Sequence, residues 1–136
     1  MRHALTCLLA TFACVATAAE SPSEMTLDQA LEQLKTYDYG QNDKPLRVIE
    51  LQVVRSAADA AGKAQVAERL ATVLSSPNVS QAAKVFVCQQ LLAVGTEAQV
   101  PLLAKMLDDP QTAEIARYTL DAIGGEASLA ALRGAL

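Results

Sequence analysis

The stretch Leu103-Ala104-Lys105-Met106-Leu107-Asp108-Asp109-Pro110 restates Leu70-Ala71-Thr72-Val73-Leu74-Ser75-Ser76-Pro77, with every apolar position and the proline recurring 33 residues later. A fixed period of that size is characteristic of helical repeats, in which one helix pair is the unit that stacks on its neighbour. A second echo sets Gly95, Glu97-Ala98, Val100 and Leu103 against Gly124, Glu126-Ala127, Leu129 and Leu132, now 29 residues apart. The shortening corresponds to one helical turn and keeps the apolar face roughly in phase. The chain is therefore expected to be all-α, an α-solenoid of stacked antiparallel helix pairs with about three and a half repeats. Solenoids offer surfaces for binding, and the period names no ligand.

The first residues stand apart from the repeats. Arg2 and His3 precede an almost wholly apolar run, Ala4 to Val15, and Ala16-Thr17-Ala18 has the small-x-small pattern of a signal-peptidase site. The run is short of the ~20 residues that span a bilayer. Residues 1–19 are read as a signal peptide and 20–25 as an exposed leader, with the repeats over 26–136. An uncleaved N-terminal anchor and a lipoprotein cut at Cys14 are the alternatives. Cleavage would export the chain to a periplasmic or extracellular compartment and leave no stable membrane insertion. It would remove Cys7, Cys14 and the single histidine, leaving Cys88 as the one cysteine, so no internal disulfide could form. Without an imidazole there is no Ser-His-Asp triad and no histidine to bind zinc. Loss of Arg2 takes the formal charge from −4 to −5. That acidity argues against a nucleic-acid partner, which calls for basic clusters.

Alanine and leucine dominate and tryptophan is absent, which favours helices. Thr26 and Gln29 form a capping-box pattern before a helix over 27–36, which Tyr37 to Asn42 ends. Asp43 is expected to cap a second helix over 44–59, with Pro45 in its first turn. There Leu46, Ile49, Val53 and Ala57 share the inner face, Leu51 and Val54 widen it, and Gln52, Arg55 and Asp59 lie opposite. Gly62 marks a turn before a helix over 63–74. Ser80 caps one over 81–94, apolar around most of its circumference and hence expected at the centre. The remaining helices are expected over 97–107, 112–123 and 126–135.

Asp109-Pro110, Ala116-Arg117, Leu120, Ile123-Gly124, Glu126-Ala127 and Leu129, echoed by Pro77, Ala83-Lys84, Leu92, Val94-Gly95, Glu97-Ala98, Val100-Pro101 and Leu102-Leu103, resemble the HEAT-like repeats of the phycobilisome-lyase type. Tyr37 to Gly40, Lys84 to Cys88 and Ala116 to Tyr118 are also similar to secreted bacterial HEAT-repeat proteins. The resemblance covers most of 26–136. It implies a right-handed α-solenoid with the first helix of each pair convex and the second lining a concave face. It further implies a ladder between repeats, for which Asp109 and Arg117 match the pattern, whereas the preceding unit has Ser76 and Lys84.

Each candidate for chemistry has a structural reading beside it. Cys88 is a redox-sensitive thiol or a small core residue. Asp108-Asp109 is a cation site or an acidic pair favoured before a helix N-terminus. Gly124-Gly125 binds phosphate or stops a helix. Tyr37 and Tyr39 stack on a ligand or fasten a loop. Arg117 holds an anion or belongs to the ladder. On the second helices of the pairs, Gln52, Arg55, Gln89, Tyr118 and Asp121 are the candidate partner-binding positions, with Tyr118 and Arg55 as anchors.

No catalytic residue, metal site or cofactor is read from the sequence. The function expected is that of an exported, non-catalytic module binding a protein partner through the concave face or an open edge. The last helix, over 126–135, has little polar face and is a candidate for self-association. The alternative is an accessory domain or fragment of a larger extracytoplasmic enzyme. The family's founding name adds, more distantly, a lyase or chaperone.

Overall fold

A computed structural model describes residues 24–136, and Cys7, Cys14, His3, the expected signal peptide and most of the expected leader lie outside them. The described residues form seven α-helices and one 3-10 turn, without strands: α1 Leu27–Leu34, α2 Lys44–Ser56, α3 Ala60–Leu74, α4 Gln81–Val94, the 3-10 turn Glu97–Gln99, α5 Val100–Met106, α6 Ala113–Ile123 and α7 Gly125–Gly134.

Local chemistry fixes most of the helix ends. The Gln29 N–H donates to Thr26 Oγ1 at 3.2 Å and the Thr26 N–H to Gln29 Oε1 at 3.0 Å, so each satisfies a donor that α1 would leave unpaired. Ser80 caps α4 by accepting from the Ala83 N–H at 3.1 Å. Gly124 and Gly125, at φ 69° and 81°, occupy left-handed backbone that a side chain would strain, and there α6 gives way to α7.

Sequential helices pack on one another except α4 and α5, and alternate helices touch as well: α2 meets α4, α4 meets α6, α1 meets α3, and α7 meets α5 and the 3-10 turn. Three points fix how α4 lies beside α6. Gln81 Nε2 donates to the Gln111 carbonyl at 2.6 Å, Thr119 Oγ1 to the Cys88 carbonyl at 3.3 Å, and Ile123 Cγ1 sits 2.9 Å from where a Cβ on Gly95 would be. The partners advance together along the chain, so the two helices are parallel and in register. At the other end, Arg69 pairs with Asp28 at 2.6 Å across α3 and α1. The Ser80 N–H donates to the Lys35 carbonyl and its hydroxyl to the Tyr37 carbonyl.

The core runs through all the pairs, from Leu34 and Ile49 through Leu70, Val87 and Leu91 to Leu103 and Leu120. As expected from its composition, α4 buries seven residues, Ala82, Ala83, Phe86, Val87, Cys88, Leu91 and Val94.

Several boundaries differ from the expectation. Asp43 does not cap α2 with its side chain: it binds Arg47 Nε and Nη2 at 3.0 and 2.8 Å, and the Lys44 N–H turns to Asn42 Oδ1 instead. α2 stops at Ser56, whose hydroxyl takes the Val53 carbonyl at 2.8 Å. Asp59 therefore shares no face with Gln52 and Arg55. It caps α3 by accepting from the Ala61 and Gly62 N–H groups at 3.3 and 2.8 Å, which places Gly62 inside the first turn. The helix expected over 97–107 begins instead as the 3-10 turn, where Gln99 Oε1 accepts from the N–H and O–H of Thr96, both at 2.9 Å. Leu51, Val54 and Ala57 are exposed rather than part of the α2 core face.

Candidate binding face

The side chains of α2, α4 and α6 that point away from the core recur at helical spacing, and α4 packs against both α2 and α6. Residues four and seven positions apart lie on the same side of a helix. On α2 those are Leu51 and Val54 after Arg47, on α4 Gln89 and Leu92 after Val85, and on α6 Tyr118 and Asp121 after Glu114. Val54 is 69% exposed, Tyr118 61%, Leu51 49% and Leu92 43%. Among the described residues seven large apolar or aromatic side chains are exposed, and four of them lie on these three helices.

Of the residues singled out from the sequence, Arg55, Gln89, Tyr118 and Asp121 are exposed on these helices, and Gln52 is half-buried at the edge. Leu51, Val54 and Leu92 join them, and sequence reasoning missed all three as surface residues. Their apolar character drew them to the interior, although Leu51 lies one turn from Arg47 and Arg55, Val54 two turns from Arg47 and Leu92 one turn from Gln89, which already aligned them with polar positions.

Among the described residues the ion pairs are Lys35–Glu32, Arg47–Asp43 and Arg69–Asp28, so Asp109 and Arg117 form no rung with each other. The Asp109 carboxylate accepts from the Gln111 N–H at 3.0 Å and shapes the turn into α6. It lines an open cleft with Lys84 and Lys105, whereas Arg117 lines another with Glu114 and Tyr118. Tyr37 packs against the core, while Tyr39 is exposed.

Cys88 is fully buried, and burial pushes its thiol up from 9.0 to about 11, with the Thr119 hydroxyl acting weakly in the opposite direction. At neutral pH it is a protonated core residue, a poor nucleophile. Among the described residues no three His, Cys, Asp or Glu side chains gather where they could hold a metal ion, and no helix is long and apolar enough to cross a membrane.

The geometry thus defines an all-helical chain with a partly apolar face spread over three helices. Compared with known protein families, characterised proteins and solved structures, the chain matches none.

Proposed function

We propose that this chain is a HEAT-like α-solenoid that works as a non-catalytic protein-binding module, exported from the cell and engaging its partner through the surface of α2, α4 and α6. The observation that carries this is the exposure of Leu51, Val54, Leu92 and Tyr118 together on alternate helices. Tyr and Arg are enriched at binding hot spots, so Tyr118 and Arg55 are the anchors, and Leu51, Val54 and Leu92 supply apolar area. The contacts between alternate helices and the 33-residue repeat support the solenoid reading. The apolar run before Ala16-Thr17-Ala18 supports export.

Site-specific photo-crosslinking in the native host tests the binding face. A photoreactive residue at Leu92 or Tyr118 is expected to give protein adducts, and one at exposed Thr72 on α3 to give none. Equal labelling from both sides, or none from either, sinks the assignment.

A further inference from the structure

We infer that the partner seated on the α2, α4 and α6 face is a second copy of this chain, paired about a two-fold axis running along α4. This rests on the reading of that face as a binding surface and names its occupant.

The argument is charge complementarity across a face that can meet itself. α2 carries three basic residues, Lys44, Arg47 and Arg55, against Glu50, and Arg47 is paired with Asp43 just before the helix, so Lys44 and Arg55 are its unpaired cations among the described residues. α6 reverses the balance, with Glu114 and Asp121 against Arg117. Between them α4 carries no charge from Val85 to Ala93. Arg55 and Asp121 are exposed, and neither belongs to an ion pair among the described residues. A surface basic on one flank, neutral in the middle and acidic on the other repels a copy laid on it helix for helix. It attracts one turned by half a revolution, because α2 then lies over α6.

The order of the helices makes the match possible. α4 and α6 are parallel and level, α2 also packs against α4, and on the solenoid reading it runs the same way. An axis parallel to the helices keeps heights unchanged while exchanging the flanks. On the solenoid reading Arg47 and Glu114, each in the first turn of its helix, lie at similar heights, and Leu51 then comes level with Tyr118 four residues on. Arg55 falls within one residue of Asp121, and Leu92 on α4 faces its own copy. Three helices about 9 Å apart and about 18 Å long give roughly 500 Å² per copy. That lies at the lower limit of specific interfaces, so the dimer is reversible, with a Kd on the order of micromolar.

Sedimentation equilibrium on the purified full chain reads this directly. A monomer–dimer equilibrium that weakens with added salt is expected. Arg55→Glu and Asp121→Arg, both at exposed positions, should each raise Kd about tenfold or more, since each substitution creates two like-charge contacts. Mixed in equal amounts, the two variants should regain the dimer. The introduced carboxylate of one chain then faces the introduced guanidinium of the other, while the second pair across the axis is the native one. Circular dichroism confirms that both variants fold.

A chain that stays monomeric to about 500 µM overturns the proposal. So does a dimer that ignores both reversals, including one lost to Leu129→Glu on α7. A monomer whose Leu92 and Tyr118 positions still crosslink to a different protein overturns self-pairing and leaves the binding face standing, whereas no crosslink at all removes the face itself.

Discussion

The corner where α4 turns into the 3-10 turn and α5, and the corner where α6 turns into α7, are written in nearly the same residues and held by different physics. Each opens on a glycine followed two residues on by Glu-Ala, Glu97-Ala98 in one and Glu126-Ala127 in the other. Gly95 has extended backbone that any residue could adopt, yet a Cβ there would lie 2.5 Å from the Leu91 carbonyl and 2.9 Å from Ile123. Gly124 has room, with only the Asp121 carbonyl within reach at 3.9 Å, but its φ of 69° is open to few other residues. The first glycine is there for space and the second for backbone freedom. After the glycine, Thr96 and Gln99 satisfy one another, whereas the matching positions hold Gly125 and Ser128, and the buried Ser128 hydroxyl has no hydrogen-bond partner. A repeat fixes where a helix begins, and single residues decide how well its start is satisfied.

The sharpest attempt to break this comparison puts alanine at each glycine. Gly95→Ala is expected to cost about 3 kcal/mol, because backbone and a packed side chain must move, and Gly124→Ala about 1–2 kcal/mol from backbone strain alone. Urea unfolding of the pair would contradict the assignment if the order were reversed.

The α4 arm of the first corner is also the more deeply enclosed, and pH reports that. Because the folded-state pKa of Cys88 is raised to about 11, its contribution is complete below pH 9 and is lost as the unfolded chain ionises between pH 9 and 11. The loss should be on the order of 2 kcal/mol, and Cys88→Ala should flatten that part of the stability profile. An unchanged slope in the variant would mean that the thiol is not enclosed as described.

A smaller effect separates the two helix starts. Gln99→Ala leaves the Thr96 N–H and O–H without their acceptor and should cost about 1–2 kcal/mol. Ser128→Ala removes a hydroxyl that has no partner, so thermal melting should show no loss, or a gain of up to about 1 kcal/mol. A clear loss from Ser128→Ala would reveal a hydrogen bond there and bring the two corners closer in kind.

Much of the helical organisation was legible because apolar spacing and stop signals agreed. Leu70, Val73, Leu103 and Leu120 are buried where the repeat places them, and Gly95 and Gly124 end helices as read. The errors came where two local signals competed. Gly62 looked like a turn, but Asp59 three residues earlier could cap the helix through it, and the carboxylate won. Asp43 looked like a cap, but Arg47 one turn on offered it two donors. The proposed binding face was legible only in its polar half. Arg55, Gln89, Tyr118 and Asp121 could be placed by their chemistry, whereas Leu51, Val54 and Leu92 are exposed because α2 and α4 have one open side, which periodicity in a single helix does not disclose.

Among the described residues no side-chain bond between elements spans more than 43 residues, so none ties the α1 end to the α7 end. Arg69 reaches back 41 residues to Asp28, Ser80 reaches 43 to Tyr37, and Thr119 reaches 31 to Cys88. An all-helical arrangement built this way should fold on a scale of microseconds to milliseconds. It also need not melt as a single body. The α6 and α7 end, with its unsatisfied hydroxyl, can open while α1 to α3 remain closed, and amide exchange would record that as a gradient along the sequence rather than one common rate.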